Sequence, residues 1–244
     1  MTRILITGST DGLGYSTAES LLDQGHEVIV HARSAARAEA VSALIDRGAD
    51  LVVADLSDRG AVLDATDELN EGRAIDAVIH NAGVLTGPSL LPVNVVAPYL
   101  CTALLTTPSR HVYLSSSMHR DGKAQLAGLD WSGGSVTASY SDTKLLVAAF
   151  SAGVAELWGP RVLANSVDPG WVATKMGGSG APDDFDLGHE TQERLAVDPS
   201  LQVTGGYWHH GAQQQPAGGV RDADFRARLI EELAEVTGVA LPTR

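Results

Sequence analysis

The chain is poor in cysteine, in aromatic residues and in basic residues. A single cysteine, Cys101, excludes an internal disulfide, and its apolar neighbours predict a small buried core residue. There are 17 Lys and Arg against 30 Asp and Glu, and the net charge of −13 disfavours nucleic acid or an anionic membrane as partner. No apolar run reaches about 18 residues, and the N-terminus lacks a signal-peptide pattern. We therefore expect a cytoplasmic protein that does not enter a membrane.

Short, uniformly apolar runs alternate with amphipathic stretches along the whole chain. The runs are rich in Val, Ile and Leu, as strands buried on both faces are. They cover residues 3–7, 27–32, 50–54, 75–80, 110–116 and 161–167, with a weaker seventh run at 201–208. Helical periodicity is expected over 15–24, 34–48, 59–70, 93–106, 139–157 and 222–237.

This alternation predicts a doubly wound α/β fold, because repeated right-handed crossovers produce a parallel sheet covered by helices on both faces. We expect seven parallel strands and one domain over residues 1–244, since no linker or shift in composition divides the chain. Residues 170–200 are rich in Gly and Asp, which predicts an irregular substrate loop with one short helix near 187–196.

The segment GSTDGLG stands between the first strand and the first helix. Its three glycines, Gly8, Gly12 and Gly14, would let a pyrophosphate approach the backbone at the positive end of the helix dipole. A flexible connecting turn is the alternative. The order of strand, glycine turn and helix favours a dinucleotide site.

With Thr7 in front, this turn resembles the Thr-Gly-x-x-x-Gly-x-Gly signature of the short-chain dehydrogenase/reductase family. Five further motifs of that family follow in its order, each near the carboxyl end of a predicted strand, where α/β sheets bind ligands. They are Asp55-Leu56, Asn81-Ala82-Gly83, the serines at 115–117, Tyr140-x-x-x-Lys144, and Pro169-Gly170 with Thr174. The resemblance covers nearly the whole chain and implies a Rossmann fold and an oxidoreductase that interconverts a carbonyl and an alcohol.

The resemblance also implies the residues that contact a nicotinamide dinucleotide. They are Gly8, Ser9, Thr10, Gly12, Leu13, Gly14, Arg33, Asp55, Leu56, Asn81, Ala82, Gly83, Tyr140, Lys144, Pro169, Gly170, Val172 and Thr174. The second strand ends in Ala32-Arg33 instead of a carboxylate, and a guanidinium suits a 2′-phosphate, so NADP(H) is expected over NAD(H). Asp11 argues against this choice, because many NADP(H) relatives carry a basic residue in the glycine turn.

Tyr140 and Lys144 stand at i and i+4 and therefore share one face of a helix. A free tyrosine, with a pKa of about 10, is poorly matched to neutral pH, and a neighbouring cation is expected to lower that pKa. A surface pair with the lysine in water is the alternative. The resemblance makes Tyr140 the general acid/base and gives Lys144 the nicotinamide ribose as a second partner.

The resemblance implies two supporting residues in the catalytic centre. Ser115, Ser116 and Ser117 compete to hold the substrate oxygen, and LSSSMHR is similar to a segment of retinol-dehydrogenase-like members that matches Ser116. Asn94 fits the asparagine that supports a water beside the lysine, with a helix cap as the alternative. His119 is interpreted as structural or substrate-lining.

The separation of Asn81 from Asn94 is only 13 residues, shorter than in most members. Most members carry a longer segment with an extra helix here. Its absence opens one side of the active site and argues against the usual helix-mediated dimer, although a homo-oligomer of another kind is possible. The branch resemblance implies a lipophilic small-molecule carbonyl or alcohol, with Trp171 and residues 175–200 shaping the pocket.

A metal is not expected, because no His/Cys cluster has ligand spacing and the neighbours His209 and His210 would face opposite ways on an extended chain. Two other functions are the alternatives. A non-catalytic NADP(H)-sensing regulatory protein usually lacks the Tyr or the Lys, and this chain keeps both. An epimerase or dehydratase of the extended branch needs a C-terminal domain, for which the short tail leaves no room.

Overall fold

Eight strands form one sheet in the computed structural model, which describes residues 1–244. They are β1 (Arg3–Ile6), β2 (Glu27–Ala32), β3 (Asp50–Val53), β4 (Ala77–His80), β5 (Arg110–Leu114), β6 (Leu163–Asp168), β7 (Tyr207–His209) and β8 (Ala212–Gln214). The order across the sheet is β3-β2-β1-β4-β5-β6-β7-β8, and the strand order reverses between β1 and β4. The predicted doubly wound α/β fold is confirmed, and ligands bind such sheets where the order reverses.

Seven parallel strands are present as predicted, and the structure adds an eighth strand that was not predicted, because β8 returns antiparallel to β7. His210 and Gly211, which join them, have φ angles of 45° and 76°. Two central residues with positive φ are typical of the tight turn that joins antiparallel strands. The same turn stacks the rings of His209 and His210 with centroids 3.8 Å apart, so the expectation that these side chains face opposite ways is wrong.

Helices cover both faces of the sheet. They are α1 (Gly12–Asp23), α2 (Ala35–Ala38), α3 (Ser42–Asp46), α4 (Arg59–Glu71), α5 (Ala97–Leu104), α6 (Tyr140–Trp158), α7 (Phe185–Val197), α8 (Gly218–Arg221) and α9 (Ala223–Thr237). The helix expected over 34–48 is interrupted by a 3₁₀ turn at Glu39–Val41, and a π-helical turn at Pro92–Val96 precedes α5. None of the helices combines the length and the apolar character needed to cross a bilayer.

The strands are apolar throughout because each face of the sheet contacts a separate core. In β1, Leu5 packs into the larger core with α4, α5, α6 and α9, whereas Ile4 and Ile6 pack into a smaller core with α1, α3 and α7. Helix α7 lies inside the stretch 170–200 that was expected to be mainly irregular, and Gln192 on α7 hydrogen-bonds Thr17 on α1. The second half of that stretch is therefore packed against the first helix of the sheet.

Two histidines are buried side by side in the larger core. His80 on β4 and His111 on β5 stack with Tyr113, and His80 Nε2 lies 3.2 Å from His111 Nδ1. The remaining nitrogens, His80 Nδ1 and His111 Nε2, have no partner. Burial lowers the pKa of His80 well below its ordinary value and that of His111 to about 3.

These two histidines predict a loss of stability in acid. Because their pKa values are lowered in the folded chain, the native state stays unprotonated while the unfolded state takes up protons below about pH 6.5. Above that pH the two histidines do not lower the free energy of unfolding, and at pH 5 each of them lowers it by about 2 kcal/mol. Urea unfolding at pH 7.5 and pH 5 should show a difference about 4 kcal/mol smaller in the double variant His80→Leu/His111→Leu than in the wild type. An unchanged difference would contradict the assignment.

Candidate active site

A cavity of about 600 Å³ opens beside the glycine turn and the carboxyl ends of the central strands. Fifteen of the sequence-predicted cofactor residues line it: Gly8, Thr10, Gly12, Leu13, Gly14, Arg33, Asp55, Leu56, Asn81, Ala82, Gly83, Tyr140, Lys144, Pro169 and Thr174. Ser9, Gly170 and Val172 do not line it. The Ser9 side chain is buried and donates to the Ile6 carbonyl while accepting from the His31 N–H at 2.7 Å, so it ties the glycine turn to β2.

The glycine turn is closely packed against the end of β4. Gly8 has a φ of +67°, and a Cβ there would lie 2.7 Å from the Ala82 Cα. A Cβ at Gly14 would lie 2.5 Å from the Gly8 carbonyl oxygen, and Asn81 Nδ2 donates to that oxygen at 3.0 Å. The turn therefore has no room for side chains at these two positions.

The amino end of α1 suits a bound phosphate. Asp11 occupies the capping position but its side chain accepts no hydrogen bond from the helix, and the first N–H groups of a helix have no partner within it. Free N–H groups and the helix dipole attract anions. The residues of the cavity thus fit a nicotinamide dinucleotide at its pyrophosphate.

Basic side chains outnumber carboxylates on the cavity wall, although the whole chain carries a net charge of −13. The basic residues are Arg33, Arg37, Lys144 and Lys175, and the carboxylates are Asp11 and Asp55. Their excess makes the cavity an attractive site for a multiply charged anion.

Arg37 and Lys175 were not predicted as site residues, and both contact Asp11. Arg37 Nη2 and Lys175 Nζ lie 2.8 and 2.9 Å from the same carboxylate oxygen of Asp11. Partial burial works against ionisation, but the hydrogen bonds from Lys175 and Arg37 hold the pKa of Asp11 below its ordinary value. Asp11 is therefore a carboxylate whose charge two cations already offset.

Tyr140 is the first residue of α6, and a capping box fixes that position. The Ser139 hydroxyl accepts from the Asp142 N–H at 3.1 Å, and the Ser139 N–H donates to Asp142 Oδ2 at 2.8 Å. One turn later, Lys144 Nζ lies 5.4 Å from the centroid of the Tyr140 ring and donates to the Leu114 carbonyl at 2.7 Å. The i, i+4 pair is therefore inside the cavity wall, with the ammonium buried beneath the tyrosine ring.

The pKa values of this pair differ from the sequence expectation. Burial, and then the nearby Asp168 carboxylate, raise the pKa of Tyr140 to about 12, while the Ser116 hydroxyl acts in the opposite direction. Burial lowers the pKa of Lys144 to about 8 and Asp168 opposes that change. The pKa of Tyr140 is thus raised, whereas the sequence predicted that Lys144 would lower it. Asp168, the last residue of β6, is buried and was not predicted as a site residue.

The three serines after β5 have different surroundings. The Ser115 hydroxyl is buried and donates to the Lys144 carbonyl at 2.9 Å. Ser117 is exposed. Ser116 is half-buried, accepts from the Met118 N–H at 3.3 Å, and lies near enough to Tyr140 to affect its pKa. Of the three, Ser116 is the hydroxyl best situated to share a ligand atom with Tyr140.

Asn94 joins two segments of the site. Its amide accepts from the Val84 N–H at 2.8 Å and donates to the Val84 carbonyl and to the Thr143 hydroxyl. A Cβ added at Gly83 would lie 3.5 Å from both Asn94 Oδ1 and Lys144 Nζ. Asn94 therefore does not cap its own helix; it fixes the strand-end segment beside the lysine.

His119 is a structural residue of the loop that carries Ser116. It is fully buried, its Nδ1 lies 2.7 Å from the Ser116 carbonyl, and its Nε2 accepts from the Ala217 N–H at 3.0 Å. The Tyr207 hydroxyl lies 3.0 Å from the same Nδ1. Trp171 is 60% exposed and donates to the Gly177 carbonyl, and Met176 lines the cavity, so the segment after β6 forms one wall of the opening.

Comparison with known proteins gives consistent matches. The family model described as short chain dehydrogenase matches residues 2–107. The chain is 37% identical to short-chain dehydrogenase chyC of Penicillium rubens, over 99% of this chain and 100% of that one, and 27% identical to human retinol dehydrogenase 13, over 98% and 86%. A blue fluorescent protein from a metagenomic library, solved in complex with NADPH, superposes with a TM-score of 0.71 at 22% identity, over 85% of this chain and 95% of that one.

Proposed function

The chain belongs to the short-chain dehydrogenase family, and we propose that it interconverts a carbonyl and an alcohol with NADP(H), using Ser116, Tyr140 and Lys144 as its catalytic centre. Enzymes of this family are oxidoreductases, and the match to short-chain dehydrogenase chyC covers the full length of that protein. The observation that carries the proposal is the Lys144 ammonium beneath the Tyr140 ring, on the wall of a cavity that also contains the glycine turn.

The bound nicotinamide would supply or accept the hydride at carbon. For carbonyl reduction, the Tyr140 hydroxyl donates its proton to the substrate oxygen as the C–H bond forms, so the product is the neutral alcohol. With a pKa raised to about 12, Tyr140 is protonated at neutral pH and ready for this step. The reverse reaction needs the phenolate, which the same hydroxyl must first form. Ser116 holds the substrate oxygen, and Asn94 keeps the strand-end segment in place beside Lys144.

NADP(H) is the proposed cofactor because the cavity carries more basic than acidic side chains. In addition, the position where a ribose-binding carboxylate would repel a 2′-phosphate is Ala32, and the guanidinium of Arg33 follows it. The metagenomic fluorescent protein was solved with NADPH, which supports the same choice. The lipophilic substrate class rests on the likeness to retinol dehydrogenase 13 and on the apolar side chain of Met176 in the cavity wall.

The test is a screen of aldehydes and ketones, from short polar to long-chain and aromatic compounds. The loss of absorbance at 340 nm measures consumption of the reduced cofactor, with NADPH and NADH tested in parallel. We expect consumption of reduced cofactor with lipophilic carbonyls and a higher kcat/KM for NADPH. Tight binding of NADPH without consumption across the panel would favour the sensing alternative. Equal kcat/KM values for the two cofactors would refute the NADP(H) preference alone.

As the pH rises, the rate of the reaction should respond to deprotonation of Lys144 at a lower pH than to deprotonation of Tyr140. Since the pKa of Lys144 is lowered to about 8 and that of Tyr140 is raised to about 12, the ammonium is lost first as the pH rises. The kcat/KM for carbonyl reduction, which reports the free enzyme, should therefore fall above about pH 8. Asp168→Asn removes the charge that raises both pKa values. The pH at which kcat/KM begins to fall should therefore be about one unit lower in this variant. If that pH is unchanged, Asp168 is excluded from the electrostatics of the site.

A further inference from the structure

His119 contacts the backbone of Ser116 through two separate groups. The His119 N–H donates to the Ser116 carbonyl at 3.0 Å, and the ring Nδ1 of His119 lies 2.7 Å from the same oxygen. Ser116 is extended, with φ −168° and ψ 155°, and caps the 3₁₀ turn Ser117–Asp121. The conformation of Ser116 therefore depends on the ring of His119 as well as on the main chain.

The tautomer of His119 follows from its second ring nitrogen. A backbone N–H can only donate, so His119 Nε2, which lies 3.0 Å from the Ala217 nitrogen, must be an unprotonated acceptor. In a neutral imidazole the proton then lies on Nδ1, which can donate it to the Ser116 carbonyl. Burial lowers the pKa of His119, so this neutral form persists at neutral pH.

Tyr207, on β7, packs against the ring of His119. The two ring centroids are 4.4 Å apart, and the Tyr207 hydroxyl lies 3.0 Å from His119 Nδ1. Because that nitrogen carries a proton, the hydroxyl can only accept from it. Burial, and then the Asp168 carboxylate, raise the pKa of Tyr207, while the Ser115 hydroxyl acts in the opposite direction. Tyr207 therefore keeps its own proton and lies close to Ser115 as well as to His119.

The orientation of the Ser116 hydroxyl is set by the same turn. Its oxygen accepts from the Met118 N–H at 3.3 Å, and the hydroxyl lies near enough to Tyr140 to affect its pKa. With an N–H already donating to its oxygen, the hydroxyl can donate its proton toward Tyr140 or toward a substrate oxygen beside it. Misplacement of a catalytic group by about 1 Å can lower a rate about 100-fold, so the conformation of Ser116 affects turnover.

We propose that His119 is a positioning residue of the catalytic centre, whose Nδ1–H holds the Ser116 carbonyl and so directs the serine hydroxyl to the substrate oxygen. The Ala217 N–H selects the tautomer that can make this contact, and Tyr207 keeps the imidazole ring in place. The inference rests on the proposed carbonyl reduction and adds to it a residue that does not line the cavity.

Two amide side chains can separate the two ring contacts of His119. Counted from the backbone, the amide nitrogen of asparagine stands where Nδ1 of histidine stands, and the amide group of glutamine reaches the position of Nε2. His119→Asn can therefore keep a donor for the Ser116 carbonyl and loses the acceptor for the Ala217 N–H, whereas His119→Gln does the reverse. Each variant loses one hydrogen bond of a buried group, so their midpoints of thermal unfolding should fall by similar amounts.

The experiment compares the kinetics of these variants with a carbonyl that the wild type reduces. His119→Gln should lower kcat about 10- to 100-fold, because the substrate oxygen loses an aligned donor. His119→Asn should keep kcat within about 3-fold of the wild type, because the donor to Ser116 stays in place. The affinity for NADPH should change by less than about 2-fold in both, since sites without shared contacts are nearly independent.

Arg120→Ala is the matched control. Arg120 Nη2 donates to the Gln215 carbonyl at 2.9 Å, so it joins the loop of Ser116 to the segment that contains Ala217, without a hydrogen bond to Ser116 itself. If the connection between these segments were all that mattered, Arg120→Ala and His119→Asn would lower kcat as His119→Gln does. We expect Arg120→Ala to keep the kcat of the wild type.

The tautomer can be measured in the wild type without any variant. In the full chain labelled with ¹⁵N-histidine, His119 can be identified by nuclear Overhauser contacts with the adjacent ring of Tyr207. At neutral pH its Nδ1 should carry the proton and its Nε2 should not. A proton on Nε2 would overturn the proposal, because Nδ1 could then not donate to the Ser116 carbonyl. If one of the variants does not fold, this measurement decides.

The outcomes separate this proposal from the one on which it rests. A lower kcat in His119→Gln alone, with Nδ1 protonated in the wild type, supports the positioning role. Equal values of kcat in His119→Gln and His119→Asn would overturn that role and leave the proposed reaction intact. If the wild type binds NADPH but reduces no carbonyl, the proposed function fails and the role of His119 fails with it.

Discussion

Tyr140→Phe is expected to lower turnover of any carbonyl substrate by about 1,000-fold or more, within the range that a general acid contributes. The substitution removes the only proposed proton donor to the substrate oxygen and keeps the ring against which Lys144 packs. Dinucleotide affinity should stay within about 3-fold, because the hydroxyl is not needed for phosphate or ribose contacts. Single-turnover reduction and a fluorescence titration with NADPH measure the two quantities.

Tyr15→Phe is the control for this result. Tyr15 lies on α1, packs partly against the smaller core, and its hydroxyl makes no hydrogen bond. Its variant should keep full turnover. A Tyr140→Phe enzyme with more than about a tenth of wild-type turnover would remove Tyr140 from the chemistry, because the loss would be smaller than general acid catalysis supplies.

Lys144→Met is expected to reduce both turnover and cofactor affinity, in contrast to Tyr140→Phe. Methionine preserves the length of the side chain but removes a buried ammonium, so turnover should fall about 100-fold or more. Affinity for NADPH should fall about 3- to 10-fold, since one of the four cations on the cavity wall is lost. The Leu114 carbonyl also loses its donor, which costs about 1–3 kcal/mol of unfolding free energy.

Lys123→Met controls for the loss of a lysine elsewhere, because Lys123 is exposed and does not line the cavity. Its turnover and affinity should match those of the wild type. If Lys144→Met instead loses affinity without losing turnover at saturating cofactor, the ammonium serves binding alone. Urea unfolding of both variants separates the cost in stability from the effects on catalysis.

The fold could be predicted from the sequence as far as it depends on local pattern. Strands such as β2 are apolar on both faces because the sheet is buried on both faces, and the glycine turn follows from its position between β1 and α1. The eighth strand could not be found in this way. Ala212–Gln214 has no apolar run, and its turn uses His210 in a conformation that asparagine or glycine usually adopts.

In the candidate site, too, local contacts could be predicted from the sequence and long-range contacts could not. The contact between Tyr140 and Lys144 followed from helical spacing, whereas Arg37 and Lys175 meet at Asp11 from 26 and 164 residues away. The pKa of Tyr140 likewise depends on Asp168, whose approach is set by the pairing of distant strands. One sequence carries no signal for such contacts. The catalytic and binding roles of these residues stay predictions until the variants are measured.

The β7–β8 hairpin also limits the pairing of this sheet edge with a strand of another copy of the chain. β8 is three residues long and exposed throughout, and Pro216, which has no N–H to donate, follows shortly after it. A short, polar border of this kind offers few backbone groups to a strand from another molecule. Growth of the sheet from one subunit into the next is therefore disfavoured on that side, and any assembly there would have to form through side chains.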